Sequence, residues 1–116
     1  MRLIKTVFHV HTDYSPDCDT PVEALVADAR SRGVRALTVT DHDTIDGARA
    51  AAKLAGPDVQ IIIGEEITTS HGHLIGLFLH EHIEPGQSPR RTADLIHRQG
   101  GVVVVPHPFN RLFDCS

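Results

Sequence analysis

Cysteine is scarce: Cys18 and Cys115 are the only two, they lie far apart, and they form no CxxC pair. That excludes a zinc ribbon or a disulfide scaffold and fits a reducing cytoplasm. Positive charge is also in deficit, with 11 Lys and Arg against 15 Asp and Glu and a formal charge of -4. A general attraction to nucleic acid or to an anionic membrane is therefore not expected, and any phosphate must be held locally. Long apolar runs are missing too. The longest, Val59 to Gly64 and Gly101 to Pro106, have strand length and fall well short of the roughly 20 residues of a membrane helix. Met1 to Lys5 leads straight into a strand-like segment with no signal-peptide core. Tryptophan is absent and tyrosine occurs once, yet there are nine histidines in 116 residues, an excess that asks for a chemical reason.

The chain is long enough for one domain and too short for two ordinary ones, and its 41% hydrophobic and 22% charged residues suit a folded globular protein. Leu3 to His9 reads as a buried strand. Thr20-Pro21 with Glu23 reads as the capped start of a helix that Gly33 ends. Val34 to Thr40 is strand-like again. Thr44 or Asp46 can cap an alanine-rich helix that closes at Gly56-Pro57. Val59 to Ile63 and Leu74 to Leu79 read as further strands, Ser88-Pro89 opens a helix to about Gln99, and Val102 to Val105 is a last strand. This alternation predicts an α/β domain over residues 1–116 with a mainly parallel sheet.

The polar residues of interest fall at the C-terminal ends of these strands, where parallel α/β folds build their sites. His9 and His11 stand at i and i+2, which on extended backbone points both rings to one side. Asp13, Asp17 and Asp19 follow in a turn. Asp41-His42-Asp43 leaves the second strand; Asp43 is most simply a helix cap, and Asp41 can orient a ring nitrogen of His42 or of a neighbour. Gly64-Glu65-Glu66 offers a carboxylate able to bridge two metals, and alternation alone does not choose between the two glutamates. His71 and His73 form a second HxH. His80 and His82 form a third, in a polar stretch that reads as a solvated turn, and His97 reads as a surface or packing residue. Val105-Pro106-His107-Pro108 presents a histidine on a backbone stiffened by two prolines, and Arg111 beyond it can grip a phosphate or face solvent. A covalent mechanism is not suggested, since Cys18 lies among acids and Ser15 has no evident base.

In order along the chain, His9-Val10-His11, Asp17, Asp41-His42, Gly64-Glu65-Glu66 and Pro106-His107-Pro108 resemble the motifs of the PHP (polymerase and histidinol phosphatase) superfamily. The resemblance implies a distorted (βα)7 TIM-like barrel that holds two or three divalent ions (Zn, Mn or Fe) and hydrolyses small phosphate esters or nucleotides by metal-activated water. It makes His9 and His11 ligands of a first metal and Glu66 the bridging carboxylate. His73 and His107 would serve a second metal, and Asp17 and His42 a third. His107 or a later acid would protonate the leaving alcohol, with Arg111 on the phosphate. Asp13 and Asp43 match no ligand.

The family also supplies a late Asp-x-His on a final strand, which this chain does not reach. The alternatives are a truncated portion of a longer gene product, missing strands supplied by another chain, or an incomplete and inactive site; the expectation is the first, an N-terminal portion of a longer barrel. An end at Ser116 would leave the last strand and the barrel seam open to water. The reading from another class is a metal-binding module without activity, acting within a larger assembly.

Overall fold

The computed structural model describes residues 4–106. Five strands and three helices follow one another: β1 (Lys5–Val10), α1 (Val22–Ser31), β2 (Val34–Val39), α2 (Asp46–Ala55), β3 (Gln60–Thr69), β4 (Gly72–Leu77), α3 (Pro89–Arg98) and β5 (Val102–Val104). They form one five-stranded sheet in the order β1-β2-β3-β4-β5.

One face of this sheet carries the helices. Leu37 and Val39 of β2 meet Val22, Val26 and Ala29 of α1 and Ala48, Ala51 and Ala55 of α2, with Ile61 and Ile63 of β3 against them. Small alanines let α2 approach closely, which suits its run of Ala50-Ala51-Ala52. A second cluster joins Ile67 of β3 to Ile45, Leu79, Ile83 and Ile96 of α3, with Val103 of β5 packed against it. Residues one step along β3, such as Glu66 and Thr68, therefore look to the opposite face, away from the helices.

The α/β class holds, but the sheet is less parallel than the periodicity suggests. β1 and β2, and β2 and β3, pair in parallel, whereas β4 runs antiparallel to both β3 and β5. The reason is length: only Ser70 and His71 separate β3 from β4, and a parallel crossover needs a dozen or more residues. β3 also continues to Thr69 rather than stopping near Ile63, so Glu65 and Glu66 lie within a strand. β1 is largely exposed instead of buried, its register interrupted by irregularities on either side of Thr6 and Val7.

The caps differ from expectation in detail. α1 begins after Pro21 with no side-chain cap, so Thr20 and Glu23 do not form a capping box. α2 follows Ile45 without a side-chain cap, although the Thr44 hydroxyl accepts the Asp46 N–H at 3.1 Å. α3 is capped as expected, with the Ser88 hydroxyl accepting the Arg91 N–H and Pro89 in the first turn.

Candidate metal centre

The face of the sheet away from the helices gathers histidines around one buried carboxylate. Glu66 is fully buried. Its Oε1 lies 3.0 Å from His11 Nε2, 3.4 Å from His9 Nε2 and 3.8 Å from His42 Nε2, while its Oε2 lies 3.2 Å from His73 Nδ1. The four rings form a chain around it, with centroids 5.1 Å apart for His9 and His11, 4.7 Å for His11 and His42, and 5.1 Å for His42 and His73.

Each ring arrives by a different route. His9 takes a left-handed backbone, φ 65°, at the irregularity before Val10, and His11 lies just past the end of β1. The HxH pair thus converges through a break in the strand, not through the plain alternation its spacing suggests. His42 is laid beside Glu66 by continued pairing beyond β2: Glu66 N–H donates to Asp41 C=O at 2.9 Å and Asp43 N–H to Glu66 C=O at 3.0 Å. His73 stands opposite Thr68 on β4, diagonal to Glu66 across the hairpin.

Hydroxyl and carboxylate partners fix the outer ring nitrogens. His9 Nδ1 lies 2.8 Å from Thr40 Oγ1, and His11 Nδ1 lies 3.0 and 3.1 Å from the two oxygens of Asp17. With Nδ1 so engaged, each Nε2 is left to face Glu66, the arrangement that carboxylate or hydroxyl partners impose on metal-binding histidines. Asp17 Oδ2 is also 3.2 Å from His42 Nε2, and the Ser15 hydroxyl donates to Asp17 Oδ1 at 2.7 Å while accepting the His42 N–H. Thr40 and Ser15 were missed from the sequence. Their one signal was a hydroxyl residue at a strand end or turn next to the motif.

The electrostatics follow from this crowding. Burial would raise the Glu66 carboxyl, but the hydrogen bond from His11 and the charges of His42, His9 and His11 bring it below its ordinary value. Burial likewise opposes ionisation of Asp17, yet Ser15, His11 and His42 draw it down to about 2. His11 loses basicity to burial and regains more from Glu66 and Asp17, ending above the usual imidazole value.

The donor set fits divalent ions. Among the described residues three groups, His9-His11-Glu66, His42-Glu66-His73 and His11-Asp17-His42, each offer ligand atoms within 4.8 Å of one another. Two ligands about 2.1 Å from a tetrahedral ion stand about 3.4 Å apart, the range in which the Glu66 contacts fall. Glu66 belongs to two of the groups: its Oε1 faces His9, His11 and His42, and its Oε2 faces His73.

Other sequence candidates land elsewhere. Glu65, also fully buried, points to the helix-covered face, where its carboxylate meets His82 Nδ1 at 2.7 Å and accepts the Ile83 N–H. His82 is thus tied to a buried acid and is not simply solvated. Burial pushes the Glu65 carboxyl up to about 7 despite Ile83 and His82. Asp41 turns to Thr12 and not to an imidazole, and Asp43 grips Thr68 instead of capping α2. His71 bonds its neighbour Ser70, and His97 is exposed on α3. His107 and Arg111 lie outside the described residues.

A PHP domain family model matches residues 8–102. An uncharacterized protein of Methanocaldococcus jannaschii, MJ1587, is 36% identical over 118 residues, covering 92% of this chain and 69% of that protein. A second from the same organism, MJ0417, is 43% identical over 49 residues, 42% of this chain and 21% of its own length. Among solved structures, a two-domain protein from Bacteroides vulgatus containing a predicted PHP-like metal-dependent phosphoesterase superposes with a TM-score of 0.71 at 23% identity. That match covers 86% of this chain, which spans about a third, 34%, of the solved chain.

Proposed function

This chain belongs to the PHP domain family, and on that premise we propose that it is the N-terminal portion of a metal-dependent phosphoesterase acting on a small phosphomonoester or nucleotide. The observation that carries the reading is the meeting of four imidazoles and both oxygens of Glu66 at ion-sharing distances. His9, His11 and Glu66 would hold one ion, Glu66 and His73 with His42 a second, and Asp17 with His42 the place of a third. His107 and Arg111 are proposed to complete the second ion's ligands and the phosphate grip.

When bound, divalent ions supply charge neutralisation for the phosphate and water activated near neutral pH. The chain's own residues prepare for this. Thr40 and Asp17 hold His9 and His11 in the tautomer that turns Nε2 inward, and Ser15 ties Asp17 to the backbone of His42. Glu66 stays ionised to low pH because the surrounding imidazoles favour its charge.

The test is phosphate release by the whole natural protein, loaded with manganese or zinc, from a panel of mononucleotides and sugar phosphates. Turnover that disappears in His11→Ala supports the reading. No turnover with intact ion binding would point to a metal-binding module in a larger assembly, and neither turnover nor ion binding would end both.

A further inference from the structure

Asp41-His42-Asp43 sets an acid on each side of a clustered imidazole, and neither acid is in the three candidate ligand groups. Both acids make the same contact in opposite directions. Asp41 Oδ1 accepts the Thr12 N–H, and its Oδ2 accepts the Thr12 hydroxyl at 2.7 Å. Asp43 Oδ1 accepts the Thr68 N–H at 2.7 Å, and its Oδ2 accepts the Thr68 hydroxyl at 2.8 Å. Thr12 directly follows His11, and Thr68 lies two residues beyond Glu66 on the same face of β3.

We infer that Asp41 and Asp43 are positioning residues, a double clamp that locks the His11 loop and the Glu66 strand to His42. The inference rests on the metal reading of the cluster. Two hydrogen bonds accepted by one carboxylate from one residue fix distance and rotation together, as a single bond does not. Ion sites need their donors held within about 0.5 Å, and here three separate segments must agree.

The surroundings leave these clamps little freedom. Asp41 and Thr12 are buried, and Gly47 in the first turn of α2 backs onto them. A Cβ at Gly47 would stand 2.2 Å from Asp41 Oδ2 and 2.5 Å from Thr12 Oγ1, so the helix closes the space into which the carboxylate could swing. Asp43 adopts φ 56°, a left-handed backbone that aspartate tolerates better than most side chains and that aims its carboxylate at β3.

The test separates positioning from plain stability. Zinc affinity is measured by calorimetry on metal-stripped protein for Asp43→Ala, Asp43→Asn and Thr68→Val, each with His42 present and in a His42→Ala background. Asp43→Ala is expected to weaken zinc at least ~10-fold, and Asp43→Asn, which keeps an acceptor for the Thr68 N–H, about 3-fold or less. The Asp43→Ala loss should shrink when His42 is gone, because the clamp then has no ring to place. An unchanged affinity, or the same loss with and without His42, overturns the clamp while leaving the phosphoesterase reading intact. Absence of zinc binding by the unmodified protein would sink both. Should Asp43→Ala not fold, Thr68→Val decides: it removes one of the two bonds and is expected to cost about 3-fold in affinity, again only with His42 present.

Discussion

Asp17 illustrates how much one side chain does in this cluster. Its oxygens face His11 Nδ1 and His42 Nε2, and it accepts from Ser15. Replacing it with Asn leaves the volume but removes the charge that orients His11, so zinc affinity should fall about 10- to 100-fold by calorimetry. Glu65 makes the opposite case, a buried carboxyl on the other face of β3, raised from 4.5 to about 7 by burial. Since the folded value lies above the ordinary one, the folded state binds this proton more tightly than the unfolded chain does. The associated stabilisation is fully present below about pH 4.5 and is lost as the pH rises through about 7, on the order of 3 kcal/mol at most. Glu65→Gln should flatten that slope, which metal-free thermal melts between about pH 5 and about pH 8 would show. Which glutamate faces the histidines was not legible from alternation, because the register of β3 was unknown. The family motif chose Glu66, and the ladder with β4 shows why: Glu66 shares its face with Thr68 and His73.

At the scale of elements, the type and order of the segments were readable, whereas strand direction and the end of β3 were not. Gly64 looked like the end of β3. It lies inside the strand, where a Cβ would come within 2.8 Å of the Gly76 carbonyl on β4 and of the Thr40 side chain, so the glycine marks a close approach and not a strand end. The tight turn was visible in principle: Gly72 has φ 104°, and the two residues before it are too few for a crossover. The convergence of His9 and His11 through a left-handed residue had no signature in the spacing, since HxH reads equally well as plain strand. α3 was the most legible element, with Ser88 and Pro89 opening it and Ile96 as its buried anchor. Ile96→Ala should cost about 2–5 kcal/mol in chemical denaturation, and Ser88→Ala about 1 kcal/mol. Neither residue touches the histidine cluster by any contact described above, so zinc affinity at a temperature where both variants are folded should be unchanged.

For the molecule as a whole, the two outer strands of the sheet stand out. Phe8 on β1 and Val102 on β5 are 53% and 48% exposed, on the strands at the two ends of the sheet order. Among the described residues no helix is long and apolar enough to cross a membrane. The proposed larger barrel would place further strands against these edges, and Phe8→Lys should accordingly lower self-association of the 116-residue chain in sedimentation experiments. The sheet order has a consequence for biosynthesis. Neighbouring strands are consecutive in the chain, and among the described residues the members of the three candidate ion groups run from His9 to His73. A growing polypeptide that has emerged only through Leu77 already exposes all of these described donors, before α3 and β5 leave the ribosome. An ion captured at that stage would contribute its binding energy to folding the first half. Ribosome-tethered chains ending the exposed part there are expected to resist protease better with zinc than with a chelator.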